Sequence, residues 1–464
     1  MASEREDREL PRGEPLHPAT VPLYLVKQLP GLIPVLITGT FAPAIAAGGL
    51  LIAVIASVVR WTRFRWRLEG GALVLNEGLV TRRQRVIPLE RIQAVELVRP
   101  LAHRLFGVVE VRIETVGGSK TEGRLDALRP EIAQRLRATL LRRGEEIDPR
   151  GERRPLVRVG AATIVLAGLT GGRVGVVAAL LGLGNELLGD RFEQLFDLPS
   201  RLGVRGLVVL ALLAGLVAFI VSVAATAVAY WGFTLSEAEE CLLIRRGLLE
   251  QRFDTIPLRR IQALTVEENA VRRLLGRAAV GVVVAGRAGE AARQTGVLLP
   301  LGRRSEAFAL AERVLDVPGL ALARLEPMPG RALGRRMARA LVVAALLAAA
   351  AVAALGARGL LALVASVPLA VWGLGAYRAL GHAEHDGIVV ARSGFLVRRT
   401  SFVPVARLQS LALSATPVQR RLRLASLSLQ IAGPGARGDP RLYDLDRASG
   451  ERLLGRLAEP IPAG

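Results

Sequence analysis

One nine-residue segment occurs three times in this chain, as IPLERIQAV at residues 87–95, IPLRRIQAL at 256–264 and VPVARLQSL at 403–411. The register around the copies holds without gaps between two glycine columns, from Gly78, Gly247 and Gly394 to Gly117, Gly286 and Gly433. Solenoid repeats are roughly 20 to 50 residues long, and the period here is several times longer. The sequence therefore predicts three copies of one domain, each able to close its own core.

The composition indicates a membrane protein. Hydrophobic residues make up 51% of the 464 residues, which is too apolar for an ordinary soluble chain. The stretch from Gly206 to Gly232 is long enough to cross a bilayer alone, and Tyr230 and Trp231 at its end fit an aromatic belt. The stretch from Ala340 to Tyr377 is about twice a span in length. It is predicted to form two helices joined by a tight turn at residues 356–359.

The alternation of apolar and arginine-rich stretches divides the chain into predicted segments. They are an N-terminal tail at 1–20, a transmembrane hairpin at 21–61, a first module at 62–145, a second transmembrane region at 156–232, a second module at 233–318, a third hairpin at 338–379 and a third module at 380–458. In the second region, Gly168 and Gly172 form a small-residue pair that favours close helix contact. Residues 156–205 fit either one arm of a hairpin or an interfacial or core helix, because their apolar run is short for a crossing.

Arginine predicts the orientation of the modules. The module side of the spans carries many arginines, whereas the opposite loops carry few: Arg60, Arg63, Arg65, Arg67, Arg150, Arg153, Arg154, Arg158, Arg331, Arg335, Arg336 and Arg339 flank the modules. The positive-inside rule then places the modules in the cytoplasm. The first 20 residues lack an apolar stretch with a cleavage site, so no removable signal peptide is expected.

Within each module the pattern indicates strands first and a helix last. In the first module, residues 72–89 read as two strands around a turn at Gly78, and further strands are predicted at 92–97 and 108–115. Residues 130–141 have apolar positions at helical spacing, matched by 306–315 and 447–457. The predicted fold class is an α+β membrane protein. Its three small, partly open β-barrels, each capped by a C-terminal helix, alternate with transmembrane helical hairpins.

These residues match a known family. The GL(V/L) step at Gly78 and Gly247, the IPL(E/R)RIQA segments, and RLFG and RLLG at 104–107 and 273–276 resemble the bacterial membrane-flanked proteins with pleckstrin-homology-like domains, in particular their multi-repeat members. The third copy departs from the pattern, since VPVARLQS replaces the motif and Arg423 takes the place of Gly107 and Gly276. The resemblance implies pleckstrin-homology-like barrels on the cytoplasmic side of a bacterial plasma membrane, with no established enzymatic activity or agreed ligand.

The polar columns of the repeat form a candidate interaction face. Its members are the residues that align among the three copies: Arg91, Gln93, Arg104, Arg260, Gln262, Arg273, Arg407, Gln409 and Arg420. Arginine suits bidentate recognition of phosphate, so these residues could contact lipid phosphates or a partner protein. Alternatively, they only fix the barrel: in a strand, Arg91 and Gln93 would share one face while Ile92 and Ala94 fill the core. The second alternative is the simpler one.

Motifs for catalysis or cofactors are missing. The sequence has neither a P-loop nor a GxSxG elbow, and His382 and His385 lack the third ligand that zinc needs even if a helix places them on one face. We therefore expect no enzyme, no metal and no cofactor. The formal net charge of +21 is compatible with binding of nucleic acid. However, only 4% of the residues are aromatic, which argues against platforms on which bases stack. The charge is instead expected to attract anionic lipid headgroups.

The leading hypothesis for function is a non-enzymatic integral membrane protein of the plasma membrane. Its cytoplasmic modules would act as a docking or assembly surface beside the bilayer, for a protein partner or for further copies of the chain, with triplication supplying avidity. Envelope stress or resistance to antimicrobial peptides is the expected setting. A channel or transporter component is the alternative, although such proteins carry polar or ionisable residues in their spans and these spans are almost purely apolar.

Overall fold

The computed structural model describes residues 16–27, 43–78, 83–115, 123–141, 154–171, 190–238, 240–285, 296–432 and 440–459. The helices are α1 (Pro43–Arg63), α2 (Leu101–Leu105), α3 (Pro130–Leu141), α4 (Ala161–Thr170), α5 (Asp190–Tyr230), α6 (Ala270–Leu274), α7 (Arg304–Leu315), α8 (Gly330–Leu355), α9 (Ser366–Arg378), α10 (Pro417–Arg421) and α11 (Arg447–Ala458). Residues 20–27 are also helical.

The strands follow one plan in every repeat. They are β1 (Arg65–Glu69), β2 (Ala72–Glu77), β3 (Arg83–Pro88), β4 (Ile92–Pro100), β5 (Val109–Thr115) and β6 (Gly123–Leu128) in the first repeat; β7 (Arg154–Arg158), β8 (Thr234–Ala238), β9 (Cys241–Arg246), β10 (Glu250–Pro257), β11 (Ile261–Asn269), β12 (Arg277–Val284) and β13 (Val297–Arg303) around the second; and β14 (Gly381–His385), β15 (Ile388–Ser393), β16 (Val397–Pro404), β17 (Leu408–Ser414), β18 (Leu424–Ile431) and β19 (Arg441–Asp446) in the third. The repeated IPL segment spans a 3-10 turn between two strands, at Leu89–Arg91, Leu258–Arg260 and Val405–Arg407.

The turn glycine of each repeat is required by the backbone. Gly78, Gly247 and Gly394 have φ angles of 127°, 103° and 90°, a region that L side chains rarely enter. A Cβ atom at Gly247 would also lie 2.1 Å from the carbonyl oxygen of Glu250. This column therefore fixes the turn between the second and third strands of each module.

The core of the first module lies between two antiparallel sheets and the helix α3. Trp66 and Leu73 from the first sheet, Leu125 from the second and Leu136 from α3 are all fully buried in one cluster. The period-2 pattern of the strands and the 3.6-residue period of α3 place these side chains on the inner faces. This arrangement confirms the predicted barrel with a C-terminal capping helix.

The sheets cross the boundaries of the repeats, which the repeat pattern did not predict. The described residues form two compact units, Met1–Arg158 with Val228–Pro257, and Val159–Ala227 with Leu258–Gly464. In the first unit a seven-stranded sheet has the order β6-β5-β4-β10-β9-β8-β7, beside the three-stranded sheet β1-β2-β3. In the second unit a six-stranded sheet has the order β13-β12-β11-β16-β15-β14, beside the three-stranded sheet β17-β18-β19.

Three described stretches are long and apolar enough to cross a membrane: Leu212–Tyr230, Gly330–Ala354 and Gly356–Arg378. The last two follow each other directly in the chain and overlap the segment 338–379 that the sequence predicts as a hairpin. Gly356 has a φ of 62°, and a Cβ atom at Gly359 would lie 2.2 Å from the backbone of Ala351 and Val352, so the turn is tight.

The other two membrane regions are described only in part. Helix α4 has 10 residues, about 15 Å, which is half of the roughly 30 Å hydrocarbon core. Residues 172–189, on which the hairpin expected in the second region depends, lie outside the described residues. So do residues 28–42 of the first hairpin.

Candidate membrane-facing surface

Each repeat exposes one short helical tip between its fourth and fifth strands. We define tip 1 as residues 101–106, tip 2 as 270–275 and tip 3 as 417–422, which include helices α2, α6 and α10. Large apolar side chains at these tips face outward: Leu105 is 80% exposed, Leu274 88% and Val418 55%. Isolated exposed leucines need no explanation, but a feature repeated in all three modules does.

The chain between the strands folds into a tip because it carries capping and turn residues. Asn269 caps α6 by accepting a hydrogen bond from the Arg272 amide (2.8 Å), and Thr416 begins a capping box at α10. Gly107 and Gly276 end their tips with φ of 66° and 61°. Arg423 replaces this glycine in the third repeat and adopts φ of 51°, so the turn is kept despite the change of residue.

The inner side of each tip carries a polar residue at one repeat position, His103, Arg272 or Gln419. In tip 1 the buried His103 ring forms a hydrogen bond through Nε2 with the Asp126 carbonyl (2.8 Å). Burial lowers the pKa of His103 below its ordinary value, because desolvation disfavours the charged ring. The His103 Nδ1 atom is buried and has no hydrogen-bond partner among the described residues.

Asp126 connects tip 1 to the membrane segment of the first repeat. Its carboxylate lies 3.0 Å from Lys27 Nζ, 2.9 Å from Arg124 Nε and 3.6 Å from Arg60 Nη2. Burial alone would raise the pKa of Asp126, but these cations, Lys27 first, lower it below its ordinary value. Since Lys27 belongs to the helical segment described over residues 20–27 and Arg60 lies in the last turn of α1, the module is ion-paired to both.

A second contact connects tip 1 to the end of a span. Arg104 Nη1 donates to the Leu248 carbonyl at 2.9 Å. The Leu248 amide donates to the Val228 carbonyl and the Gly247 amide to the Trp231 carbonyl, both at 2.9 Å. Tip 1 is therefore two contacts from the end of Leu212–Tyr230, a stretch long and apolar enough to cross a membrane.

Tip 2 binds the C-terminal end of α4 directly. Arg272 Nε donates to Thr170 Oγ1 at 3.1 Å, and Asn269 Nδ2 donates to the Thr170 carbonyl. A cation at a helix C-terminus is favourable because the last carbonyls carry partial negative charge. Helix α4 in turn packs on α5, since a Cβ atom at Gly168 would lie 3.0 Å from Val223 Cα. The predicted close helix contact at Gly168 is thus present, while Gly172 lies outside the described residues.

Tip 3 reaches the start of α8 through a buried aspartate. Gln419 Nε2 donates to Asp444 Oδ1 at 2.8 Å, and Arg335 Nη2 and Arg336 Nη2 lie 2.6 and 3.1 Å from Asp444 Oδ2. The Asp444 side chain is fully buried, which alone would raise its pKa, but its hydrogen bond with Arg335 and its other partners lower it. Each tip is therefore connected to an apolar helix, tip 2 directly through Thr170 of α4, tip 1 through Asp126 and Leu248, and tip 3 through Asp444.

The remaining predicted residues belong to the 3-10 turns and to the strands that follow them. Arg91, Arg260 and Arg407 each end a 3-10 turn, and the strand begins only at the next residue. The premise that one strand runs through each arginine and its glutamine therefore does not hold, because the arginine belongs to the 3-10 turn. Gln262 is buried and its Nε2 donates to the Arg260 carbonyl (3.4 Å), Gln409 is exposed, and Gln93 lies in β4. Arg104, Arg273 and Arg420 belong to the tips.

The paired histidines lie in strand β14, not on a helix face. His382 Nε2 lies 3.4 Å from Glu326 Oε2, and His385 Nε2 lies 3.1 Å from the Pro318 carbonyl. An odd spacing along a strand points two side chains to opposite faces. In the described part of the chain, no group of three or more His, Cys, Asp or Glu residues could hold a metal ion.

A cleft of about 400 Å³ lies within the first unit, where α3 faces strands β7 to β10. Asp254 and Thr255 line it, and their Oδ1 and Oγ1 atoms are buried without a described partner. Arg246 Nη2 lies 3.4 Å from the other Asp254 oxygen. This cleft has room for a small polar molecule, and none of the tip residues lines it.

Known proteins resemble this chain along most of its length. The bacterial PH domain family matches three times, over residues 21–144, 176–317 and 339–461. The UPF0699 transmembrane protein YdbT of Bacillus subtilis (strain 168) is 29% identical over 422 residues, 85% of each chain. No solved structure matches. Each family match takes in a membrane segment together with the module that follows it.

Proposed function

Because the chain belongs to the bacterial PH domain family and carries membrane spans between its three modules, we propose that it is a non-enzymatic docking protein of the plasma membrane. Its tips rest in the headgroup layer and hold the modules against the bilayer, where their outer surfaces take part in assembly. The observation that supports this proposal is the exposure of large apolar side chains, Leu105, Leu274 and Val418, at tips that connect to apolar helices directly or through one or two further residues.

The chemistry of the tips suits an anionic lipid surface. A leucine that moves from water into the acyl boundary gains about 1.5–3 kcal/mol, and a cation near an anionic leaflet gains about 1 kcal/mol. Each tip combines both kinds of side chain, as in Arg104 with Leu105 and Arg273 with Leu274. Each of the three tips contributes its own contact, so weak individual contacts add up.

The arginine distribution supports a cytoplasmic position for the modules, by the positive-inside rule. Some of these arginines also hold a module in place: Arg335 and Arg336 pair with Asp444, and Arg60 pairs with Asp126. The same arginines therefore favour the cytoplasmic orientation of the modules and attach the modules to the helices beside them. The expected setting in envelope stress or antimicrobial-peptide resistance stays a prediction.

A channel or transporter component is the second candidate. It needs polar or ionisable groups along a path through the bilayer. The described span Leu212–Tyr230 has no acidic or basic residue, and its Thr226 hydroxyl donates within its own helix to the Ser222 carbonyl at 2.8 Å. Transport is therefore the second candidate function. Solute flux into proteoliposomes that contain the purified protein would support transport over docking.

Depth measurements on the full chain test the docking proposal. In a Cys241→Ala background, Leu105→Cys and Leu274→Cys are labelled with an environment-sensitive fluorophore, and the protein is placed in nanodiscs that contain phosphatidylglycerol with brominated acyl chains. Leu322→Cys is the matched control, because Leu322 is 85% exposed and lies outside the tips. We expect bromine to quench both tip labels at least about twofold more than the control label. Equal quenching at the three positions refutes the proposal.

A further inference from the structure

Two internal junctions show how one repeat joins the next. Strand β4 of the first repeat pairs with β10 of the second, and β11 of the second pairs with β16 of the third, both antiparallel. In each case the fourth strand of one repeat meets the third strand of the following repeat. The register is also the same: Leu97 lies opposite Phe253, and the residues at the same repeat positions, Val266 and Thr400, lie opposite each other.

A third strand and a fourth strand, the two kinds that form the junctions, also occur at the two ends of the series of repeats. There each of them has one neighbouring strand among the described strands. Among the described strands, β3, the third strand of the first repeat, pairs with β2, and β17, the fourth strand of the last repeat, pairs with β18. Each is the edge of a three-stranded sheet. An edge strand presents backbone N–H and C=O groups to any strand of fitting shape.

The exposure of its side chains indicates that β3 is a junction strand whose partner strand is missing from the described residues. Val86 is 55% exposed, whereas Thr255 and Phe402, at the same position of the other two repeats, are 7% and 0% exposed. On the other strand, Leu411 is only partly buried, whereas its counterpart Leu264 is fully buried. The side chains at these positions are buried where the junction exists and more exposed where it does not.

We infer that β17 of one molecule pairs with β3 of a second copy of this chain. The inference names a second copy of the chain as the partner in the proposed assembly role. It therefore rests on the proposed function. A second copy is the occupant because it carries the strand that the junction requires, in the register that occurs twice in the chain. Transferring that register places Leu411 opposite Val86, Leu413 opposite Gln84 and Ser414 opposite Arg83.

The third junction is expected to be weaker than the internal two. Arg252 lies 3.5 Å from Glu96 across the first junction, and Arg399 lies 2.8 Å from Glu267 across the second. Arg83 occupies the same position as these arginines, but β17 contains no acidic residue. The intermolecular pairing therefore depends on main-chain hydrogen bonds and the Leu411–Val86 contact, and it is reversible. Membrane anchoring favours it by confining both copies to one plane.

Directed disulfide formation in membranes tests the pairing. One tagged chain carries Val86→Cys, and a second chain with a different tag carries Leu411→Cys, both with Cys241→Ala. Residues opposite each other in antiparallel strands have Cα atoms about 4.5–5.5 Å apart, within the roughly 4.4–6.8 Å range of disulfides. Because the two cysteines are on separate chains, any product that contains both tags is intermolecular. We expect this product to form under mild oxidation and to become more abundant with protein density.

The matched control is Ala412→Cys, one residue along β17 and also exposed. Its side chain points to the opposite face from that of Leu411, so we expect at least about tenfold less cross-linking to Val86→Cys. Equal yields for the two positions, or no product at either, overturn the inference. So does a Val86→Cys chain that cross-links to a different protein and not to Leu411→Cys.

The mass of the unsubstituted protein is a second measurement that does not depend on any variant folding. We expect light scattering of the protein in mild detergent to give a mass that rises with concentration above that of one chain. A single-chain mass at every concentration overturns the inference. Bromine quenching at the tips is independent of this result, so loss of self-association with quenching retained refutes the second copy alone and leaves the docking proposal standing.

Discussion

The replacement Asp444→Asn tests how the third module is attached to its membrane hairpin. Asp444 is fully buried and receives hydrogen bonds from Arg335 (2.6 Å), Arg336 (3.2 Å) and Gln419 (2.8 Å). Asparagine has nearly the same shape and tolerates the φ of 60° at this position. The substitution therefore removes the charge and leaves the backbone largely undisturbed.

The expected effect is large because two cations lose their shared counter-charge. The side chains of Arg335 and Arg336 are only 18% and 13% exposed, so solvent compensates them poorly. Removing one partner of a buried ion pair costs about 3–5 kcal/mol. For a domain of this size, about 4–8 °C of melting temperature corresponds to 1 kcal/mol, so we expect the module to melt at least about 12 °C lower.

The matched control is Asp446→Asn, two residues along the same strand. Asp446 pairs with Arg331, but the two side chains are 34% and 45% exposed, and such surface pairs contribute about 0–1 kcal/mol. Thermal unfolding of both variants in the same detergent, followed by limited proteolysis of the third module, gives the comparison. A loss below about 1 kcal/mol for Asp444→Asn, or equal losses for the two variants, would refute the reasoning.

Two further predictions concern pH and orientation. Since burial holds the pKa of His103 below 6.5, the unfolded chain binds more protons than the folded chain below that pH, and the free energy of unfolding falls as pH falls. His103→Gln, which copies Gln419 of the third repeat, is expected to reduce this acid-dependent loss, as measured by melting at several pH values. An unchanged pH dependence would contradict the role of His103. For orientation, Leu322→Cys in the Cys241→Ala background is expected to react with a membrane-impermeant maleimide only after cells are opened, and labelling of intact cells would exclude cytoplasmic modules.

Much of the local structure followed from the sequence because its signals are local. The helical spacing at 130–141 gave the bounds of α3, and the turn at Gly78 followed from a glycine column. Strand β1 (RWRLE) escaped prediction, although Trp66 and Leu68 alternate with charged residues in it. Its arginines had been read as flanks of a span, and a five-residue strand leaves little room for a pattern.

The candidate site was predicted only in its exposed column. Arg104, Arg273 and Arg420 align by identity, whereas the inner column contains His103, Arg272 and Gln419, three different residue types. A comparison of identities cannot detect this column, since what its members share is a side-chain hydrogen bond to the rest of the protein, from His103 to Asp126, from Arg272 to Thr170 and from Gln419 to Asp444. Their common position between two matching columns was the available signal.

The pairing of strands from different repeats could not be predicted from the sequence, for a similar reason. Strand pairing depends on contacts between residues far apart in the chain, and alternation in β4 says which face is buried but not which strand lies beside it. Thr255 and Val86 occupy the same repeat position with opposite exposure, 7% against 55%. Only the neighbouring strand distinguishes them.

The sheets that run from repeat to repeat have a consequence for how such a chain can change in evolution. Each copy carries a fourth strand that pairs with the third strand of the following copy. A duplication in frame therefore extends the series, and removal of the middle copy leaves β4 facing β16 in a compatible register. Copy number can thus change by whole units. Newly translated copies would fold onto the ones that emerged before them from the ribosome, using an existing edge as the template.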